Sequence, residues 1–183
     1  MQFKIVEKEI SYTGKELRSG WVLQHTGMKG DAAAGFVGPC HVHTQDLVDL
    51  DDARAGTFIK SECMAHIIAE HPGCGLAAAV LRQRLLVCLL CELLGARGHH
   101  VRREGDDVYV GDRKLTVSIA APSPRSALIH LGINIRPEGA PVPAVGLEEM
   151  GVDSAALLGE LLDRYSRELE SAAHATTKVR AVE

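Results

Sequence analysis

The stretch that decides the fold is HVRREGDDVYVGDRKLTVSIAAPSPRSALIHLGINIR, residues 100–136. Polar and apolar residues alternate along it with a period of two, which is typical of β-strands, and turn residues interrupt the alternation. Gly111 and Asp112 predict one turn, and Pro122-Ser123-Pro124 separates the last two segments. The pattern therefore predicts a meander of antiparallel strands.

Helical patterns lie on both sides of this stretch. Residues 76–95 are apolar nearly all round, which predicts a central buried helix. A terminal amphipathic helix should begin at a cap on Asp153 or Ser154 and end near Ala173. Together these patterns predict the α+β class, with a mixed, largely antiparallel sheet flanked by helices, in a single domain over residues 1–183.

The remaining segments give weaker patterns. Leu17 and Trp21 predict one face of a helix that ends at Gly27, and a second helix is predicted from Ser61 to about His71. We expect strands or edge strands at residues 3–12, 32–38 and 177–182, and a polar, acidic connector at residues 43–56.

Composition narrows the function. The chain has 183 residues, 46% hydrophobic, and 20 Lys and Arg against 24 Asp and Glu give a net charge of −4. This balance argues against nucleic acid as a partner, because duplex binders carry a basic surplus. We expect no membrane partner, since the longest apolar run is too short to cross a bilayer. Five cysteines, an odd number, and the charged N-terminal stretch indicate a reducing cytoplasm.

Two basic residues follow the turn at residues 111–112. Arg113 and Lys114 are explained either as charges on an exposed hairpin end or as groups that face a ligand. Ser118 is four residues beyond Lys114, so we expect both on one face of the strand. A lysine beside a hydroxyl can polarise a carbonyl and stabilise a developing oxyanion.

Arg82 and Arg84 lie in the predicted central helix, on faces about 200° apart. A buried guanidinium stays charged and needs an anionic partner. We weigh two readings equally: an internal ion pair with an acid such as Glu62 or Asp31, or a clamp on a ligand carboxylate or phosphate.

The histidines and acids give no metal site. Cys40, His41 and His43 offer too few ligands for zinc, and His130 reads as a hydrogen-bonded core residue. The acidic run at residues 46–52 lacks the pattern of a calcium loop, so we favour a solvated connector, with magnesium binding as the lesser alternative.

Residues 106–119, DDVYVGDRKLTVSI, resemble the strand-turn-strand of biotin and lipoate protein ligases, and HLGINIRPEG at 130–139 is similar to their second motif. The first match aligns Asp107 and Lys114 with the ligase pattern, and the second aligns Asn134. The whole chain also resembles a family designated domain of unknown function 366, placed in that fold.

The resemblance implies the fold shared by class II aminoacyl-tRNA synthetases and biotin ligases. It also implies that Lys114 contacts the acyl carbonyl and phosphate of an acyl-adenylate. Three departures bear on ATP use. The Gly-Arg loop that precedes the lysine in biotin ligases is missing, Val117 replaces a glycine, and His130 replaces the first glycine of the second motif.

Two functions follow as hypotheses. The first is an enzyme that handles a small carboxylate, as an acyl-adenylate with ATP and magnesium or as an acyl group transferred without ATP. Lys114 and Ser118 are its predicted catalytic residues. The alternative is a non-catalytic module that binds a small carboxylate or nucleotide. We also expect a homodimer formed through sheet edges. The predicted ligand-binding residues are Arg18, Arg82, Arg84, Arg113, Asp107 and Asn134.

Overall fold

A five-stranded sheet forms the centre of the computed structural model, which describes residues 1–183. The strand order is β1-β2-β3-β8-β7. Only β1 and β2 pair in parallel, and the other three pairs are antiparallel, so the predicted α+β class with a largely antiparallel sheet is confirmed. The strands are β1 (Gln2–Ile5), β2 (Ala32–Val42), β3 (Ile59–Pro72), β7 (Thr116–Pro122) and β8 (Ser126–Arg136).

The predicted meander is present but divides into two sheets. A small sheet pairs β4 (Arg102–Glu104), β5 (Asp107–Val110) and β6 (Arg113–Lys114). The division falls at Leu115, which is fully buried and donates its backbone N–H to the carbonyl of Val108. Period-two alternation runs through this junction, so it could not reveal the change of sheet.

Two long helices cover one face of the main sheet. Helix α3 (Leu76–Ala96) matches the predicted central helix, and α4 (Ser154–Thr177) begins at the N-cap Asp153, whose carboxylate accepts two backbone N–H bonds. Most of the core, 24 buried residues, lies between these helices and the sheet. The predicted edge strand at residues 177–182 is wrong, because α4 continues to Thr177 and the remaining residues are exposed.

A smaller apolar cluster of ten residues covers the opposite face. Helix α1 (Trp21–Thr26) contributes Trp21 and ends at Gly27 as predicted. The helix does not begin near Leu17, because Gly20 has a φ of 79°, a left-handed conformation that interrupts a right-handed helix. Tyr12, Phe36 and Met64 complete the centre of this cluster.

The predicted helix from Ser61 to His71 is wrong. These residues belong to β3, the central strand, which pairs with β2 and β8. A strand covered on both faces needs apolar residues at odd and even positions, so alternation disappears and helical spacing arises by chance. Ser61 caps no helix; its hydroxyl donates to the carbonyls of Cys63 and Arg136.

The acidic connector contains a 3₁₀ turn at Thr44–Asp46 and α2 (Leu50–Arg54), whose N-cap is Asp49. None of the helices is both long and apolar enough to cross a membrane. All five cysteines are free thiols. The assignment of residues 1–183 to one domain stays a prediction.

Candidate functional site

A cavity of about 450 Å³ opens where β7 and β8, the small sheet and residues 46–60 meet. Its floor is one face of the main sheet. Val117 pairs with Gly132 and Ile119 with His130 across β7 and β8, and Asn134 follows on the same face. Other wall residues include Tyr12, Met64, Asp106, Asp107, Lys114, Ser118, Pro141, Val142 and Ala144.

Lys114 lies in the cavity wall at the end of the small sheet. Its Nζ is 2.8 Å from a carboxylate oxygen of Asp107, and both side chains are about one quarter exposed. The β5–β6 turn brings the two residues together. The ammonium is therefore neutralised by the protein itself when no ligand is bound.

Asn134 supports the same part of the wall. Its Nδ2 donates to the backbone carbonyl of Lys114, 3.3 Å away, and its own backbone N–H donates to Leu115. The side chain is 4% exposed, and its Oδ1 has no hydrogen-bond partner. A buried acceptor without a donor is costly, so a ligand that supplies an N–H or O–H is favoured here.

Ser118 belongs to a polar network anchored on α3. Gln83 donates from Nε2 to the Ser118 hydroxyl and to Asp106, each at 2.7 Å, and Arg84 also binds Asp106. Burial raises the pKa of the Asp106 carboxyl, and the Arg84 charge opposes that rise. Because Ser118 accepts from Gln83, its own O–H is free to donate into the cavity.

Lys114 and Ser118 both line the cavity, but not on one face of one strand. They lie in different sheets, and Ser118 pairs with Leu131, a core residue on the α3 side. Ser118 reaches the cavity because β7 is the edge strand.

Tyr12 and His130 form the aromatic part of the floor. Their rings stack with centroids 3.8 Å apart, and His66 lies behind them, with its Nδ1 3.1 Å from Nε2 of His130. His130 is 3% exposed, so the predicted hydrogen-bonded core histidine is confirmed, although it also lines the cavity. Burial lowers the pKa of His130 well below its usual range and that of His66 to about 4.

The acidic connector forms the outer wall. Asp46, Asp49 and Asp52 line the cavity, so the expected solvated connector is part of the site. Lys60 is the second lysine in the wall. The sequence pattern did not predict that the connector closes the cavity. A segment with one short turn and a five-residue helix is too short to show a periodic pattern.

The four arginines predicted to bind a ligand are not in the wall of this cavity. Arg113 forms a bidentate pair with Glu149, and Arg18 donates to Gln24. Arg18 is exposed in the segment before α1, and the Arg113 side chain at the start of β6 is 43% exposed. The other two arginines form ion pairs within the chain. Arg82 lies 3.6 Å from Asp31, which is one of the two alternatives that the sequence left open, and Arg84 lies 2.8 Å from Asp106.

The remaining candidates, His41 and His43, lie outside this cavity and line a separate pocket. The rings of His41 and His43 lie on the same side of β2 and its end, with centroids 4.1 Å apart. No group of three or more His, Cys, Asp or Glu side chains is arranged to hold a metal ion.

The geometry defines a class of fold: a mixed sheet with two long helices on one face, and a cavity of about 450 Å³ beside a strand-turn-strand. Solved structures of biotin and lipoate ligases share this fold. A variant of the biotin protein ligase from Aquifex aeolicus in complex with biotin matches 93% of this chain and 70% of its own, with a TM-score of 0.61 and 15% identity. A putative lipoate protein ligase from T. acidophilum with bound lipoic acid matches 92% and 85%, with a TM-score of 0.57 and 12% identity.

The chain belongs to the family described as Domain of unknown function (DUF366), whose profile matches residues 1–180. A protein of unknown function from Pyrococcus horikoshi is 37% identical, with a TM-score of 0.94 and full coverage of both chains. An uncharacterized protein from Methanocaldococcus jannaschii is 35% identical over 177 residues, covering 93% of this chain and 80% of that protein. The predicted family and fold are confirmed.

Proposed function

We propose that this protein is an enzyme that handles a small carboxylate as an acyl group in its cavity. The observation that carries the proposal is the position of Lys114, an ammonium in the wall of a 450 Å³ cavity beside a buried amide. The fold neighbours reported with biotin and lipoic acid support it, because both of those ligands are small carboxylates.

The residues of the wall match the charge changes of acyl transfer. An acceptor atom forms a bond to the carbonyl carbon, the bond to the leaving group breaks, and the carbonyl oxygen is negatively charged in between. Lys114 would stabilise that oxygen after exchanging Asp107 for the ligand, and the Ser118 hydroxyl would donate a second hydrogen bond. Asn134 would hold the backbone that carries Lys114.

ATP with magnesium is the cofactor that the fold neighbours imply, and the wall does not fit a triphosphate. Five aspartates face the cavity against two lysines. The wall offers a triphosphate no arginine, and the arginine-rich loop of the biotin ligases has no counterpart here. We therefore derive no step through ATP and favour transfer of an acyl group from an activated donor.

A non-catalytic binding module is the second candidate, and Val117 favours it. Its Cγ2 would lie 3.1 Å from a Cβ placed on Gly132, so it fills the floor opposite that glycine. A cavity whose floor is narrowed in this way can still bind a carboxylate, while it restricts the approach of the molecule that would accept the acyl group.

An acyl thioester separates the two candidates. The full chain is incubated with octanoyl-N-acetylcysteamine and hydroxylamine, and the released thiol is measured. Acyl transfer releases one thiol per hydroxamate formed, and Lys114→Ala should lower the rate about a hundredfold, as loss of an oxyanion donor does. Binding of octanoate without thiol release above the rate in protein-free solution would support the module, and absence of both would refute the site.

A further inference from the structure

The cavity wall is unexpectedly acidic for a site that binds a carboxylate. Asp106 is paired with Arg84, and Asp107 is paired with Lys114. Asp46 and Asp52 face the cavity without a side-chain partner for their carboxylates, and Asp49 caps α2. The only other cation in the wall is Lys60. After internal pairing, the outer wall therefore keeps an excess of negative charge.

The hydrogen bonds behind the floor fix the proton on His130. The carbonyl of Gly38 can only accept, so Nε2 of His66, 3.2 Å away, carries the proton. Nδ1 of His66 is then an acceptor, and Nε2 of His130 must donate to it. Neutral His130 consequently has an unprotonated Nδ1, which has no partner within the chain.

The floor thus offers hydrogen-bond acceptors as well. His130 and Asn134 both line the cavity and are 3% and 4% exposed, and Oδ1 of Asn134 is buried without a hydrogen-bond partner. The two residues lie on the same face of β8, separated by Gly132, which has no side chain. Neutral acceptors and carboxylates together select a donor-rich, positively charged group.

We infer that the ligand is an amino carboxylate, with a carboxyl or acyl group at Lys114 and a protonated amine facing Asp46, Asp52 and the acceptors of β8. This inference rests on the proposed function and adds a second functional group, the amine, to the proposed ligand. A plain carboxylate would leave the acceptors of the floor unsatisfied and would face the uncompensated aspartates, and an amine satisfies both.

Matched ligands test the inference by calorimetry with the full chain. The probes are ω-amino acids of four to eight carbons, the plain carboxylates of the same length, and the corresponding alkylamines. The best ω-amino acid should bind about tenfold tighter than its plain carboxylate, since a charge-assisted hydrogen bond is gained. Equal or tighter binding of the plain carboxylate would overturn the inference and leave the proposed function standing.

Asp46→Asn with Asp52→Asn should remove most of this preference and leave the affinity for the plain carboxylate unchanged or higher. Asp51→Asn is the matched control, because Asp51 lies on the same helix but pairs with Arg54 outside the cavity. If alkylamines bind as tightly as the amino acids and Lys114→Ala changes nothing, the proposed function fails instead. Binding of none of the probes would overturn both.

Discussion

Lys114 and Asp107 form the ion pair on which ligand binding should depend. Their 2.8 Å contact holds the ammonium at the cavity, and it also means that an incoming carboxylate must displace an existing one. The pair is partly exposed, so its contribution to folding is small, about 1 kcal/mol or less. Its effect on binding should be larger than its effect on stability.

Replacing the competing carboxylate should tighten binding. Asp107→Asn leaves Lys114 in place and removes the anion that neutralises it, so the affinity for octanoate should rise about tenfold. Isothermal titration calorimetry measures the change, with Asp112→Asn as the control because Asp112 is exposed in the adjoining turn. Weaker binding in Asp107→Asn would mean that Asp107 positions the lysine and does not compete with the ligand.

The buried histidines predict a pH dependence of stability. Burial lowers the pKa of His66 from 6.5 to about 4 and lowers the pKa values of His71 and His130 as well. Below pH 6.5 the unfolded chain binds protons that the folded chain does not. Stability is therefore fully present well above that pH and is lost as the pH falls, by at most about 1.4 kcal/mol per unit for His66 between pH 6.5 and its folded pKa of about 4.

Urea unfolding at pH 7.5, 6.0 and 5.0 measures this loss. The free energy of unfolding should decrease at each step, and it should decrease equally in His174→Gln, because His174 is exposed near the end of α4. A constant free energy between pH 7.5 and 5.0 would contradict the neutral, buried state of these side chains.

At the residue scale, the sequence brings candidate residues to the cavity where their spacing in the chain is short. Asp107, Lys114 and Asn134 lie in two compact motifs, and all three line the cavity. Tyr12, Asp46 and Lys60 were missed, because each comes from a distant segment that only the folded chain brings to the site. Sequence spacing could not show that Arg113 pairs with Glu149, 36 residues further along the chain.

At the scale of elements, the backbone of Ile10 lies so close to β2 that it restricts which side chain position 38 can have. Gly38 lies at the irregularity in the β2–β3 ladder, and a Cβ there would come within 2.1 Å of the carbonyl oxygen of Ile10. The carbonyl of Gly38 also accepts from His66, so a shift of this segment would disturb the pair behind the cavity floor.

Gly38→Ala should therefore destabilise the protein by about 1–3 kcal/mol or more, the usual cost of overpacking. Gly95→Ala is the matched control, since that glycine lies inside α3 with open space around it and alanine is the better helix former. Thermal unfolding should give a lower midpoint for the first variant and an equal or higher midpoint for the second. Equal midpoints in Gly38→Ala and the wild type would contradict the close contact.

The elements also show which patterns were reliable. Long elements with one buried face, such as α4, were predicted with the correct start because the cap and the periodicity agree. β3 was mistaken for a helix because a strand buried on both faces has no alternation to detect. The small sheet was merged with the large one because Leu115 continues the alternation across the junction.

At the scale of the whole molecule, the main sheet ends at two open edges, β1 and β7. The homodimer through sheet edges stays a prediction. Light scattering should give twice the chain mass of 19.7 kDa at micromolar concentration, and a monomer mass would contradict it.

The whole molecule places a charged cavity against one face of the main sheet. The large core between the sheet and the two long helices fixes the strands, and the connector at residues 46–60 closes the cavity from outside. This arrangement explains why function should depend on wall residues while stability depends on the core.

The most direct test is a titration of the wild type, Lys114→Ala and Lys29→Ala with octanoate and with the matched ω-amino acid, alongside their melting temperatures. Lys29 is an exposed lysine outside the cavity. We predict that Lys114→Ala loses at least tenfold in affinity with its melting temperature within about 2 °C of the wild type, and that Lys29→Ala is unchanged. Undiminished affinity in Lys114→Ala, or its unfolding, would contradict a ligand-binding role for that ammonium.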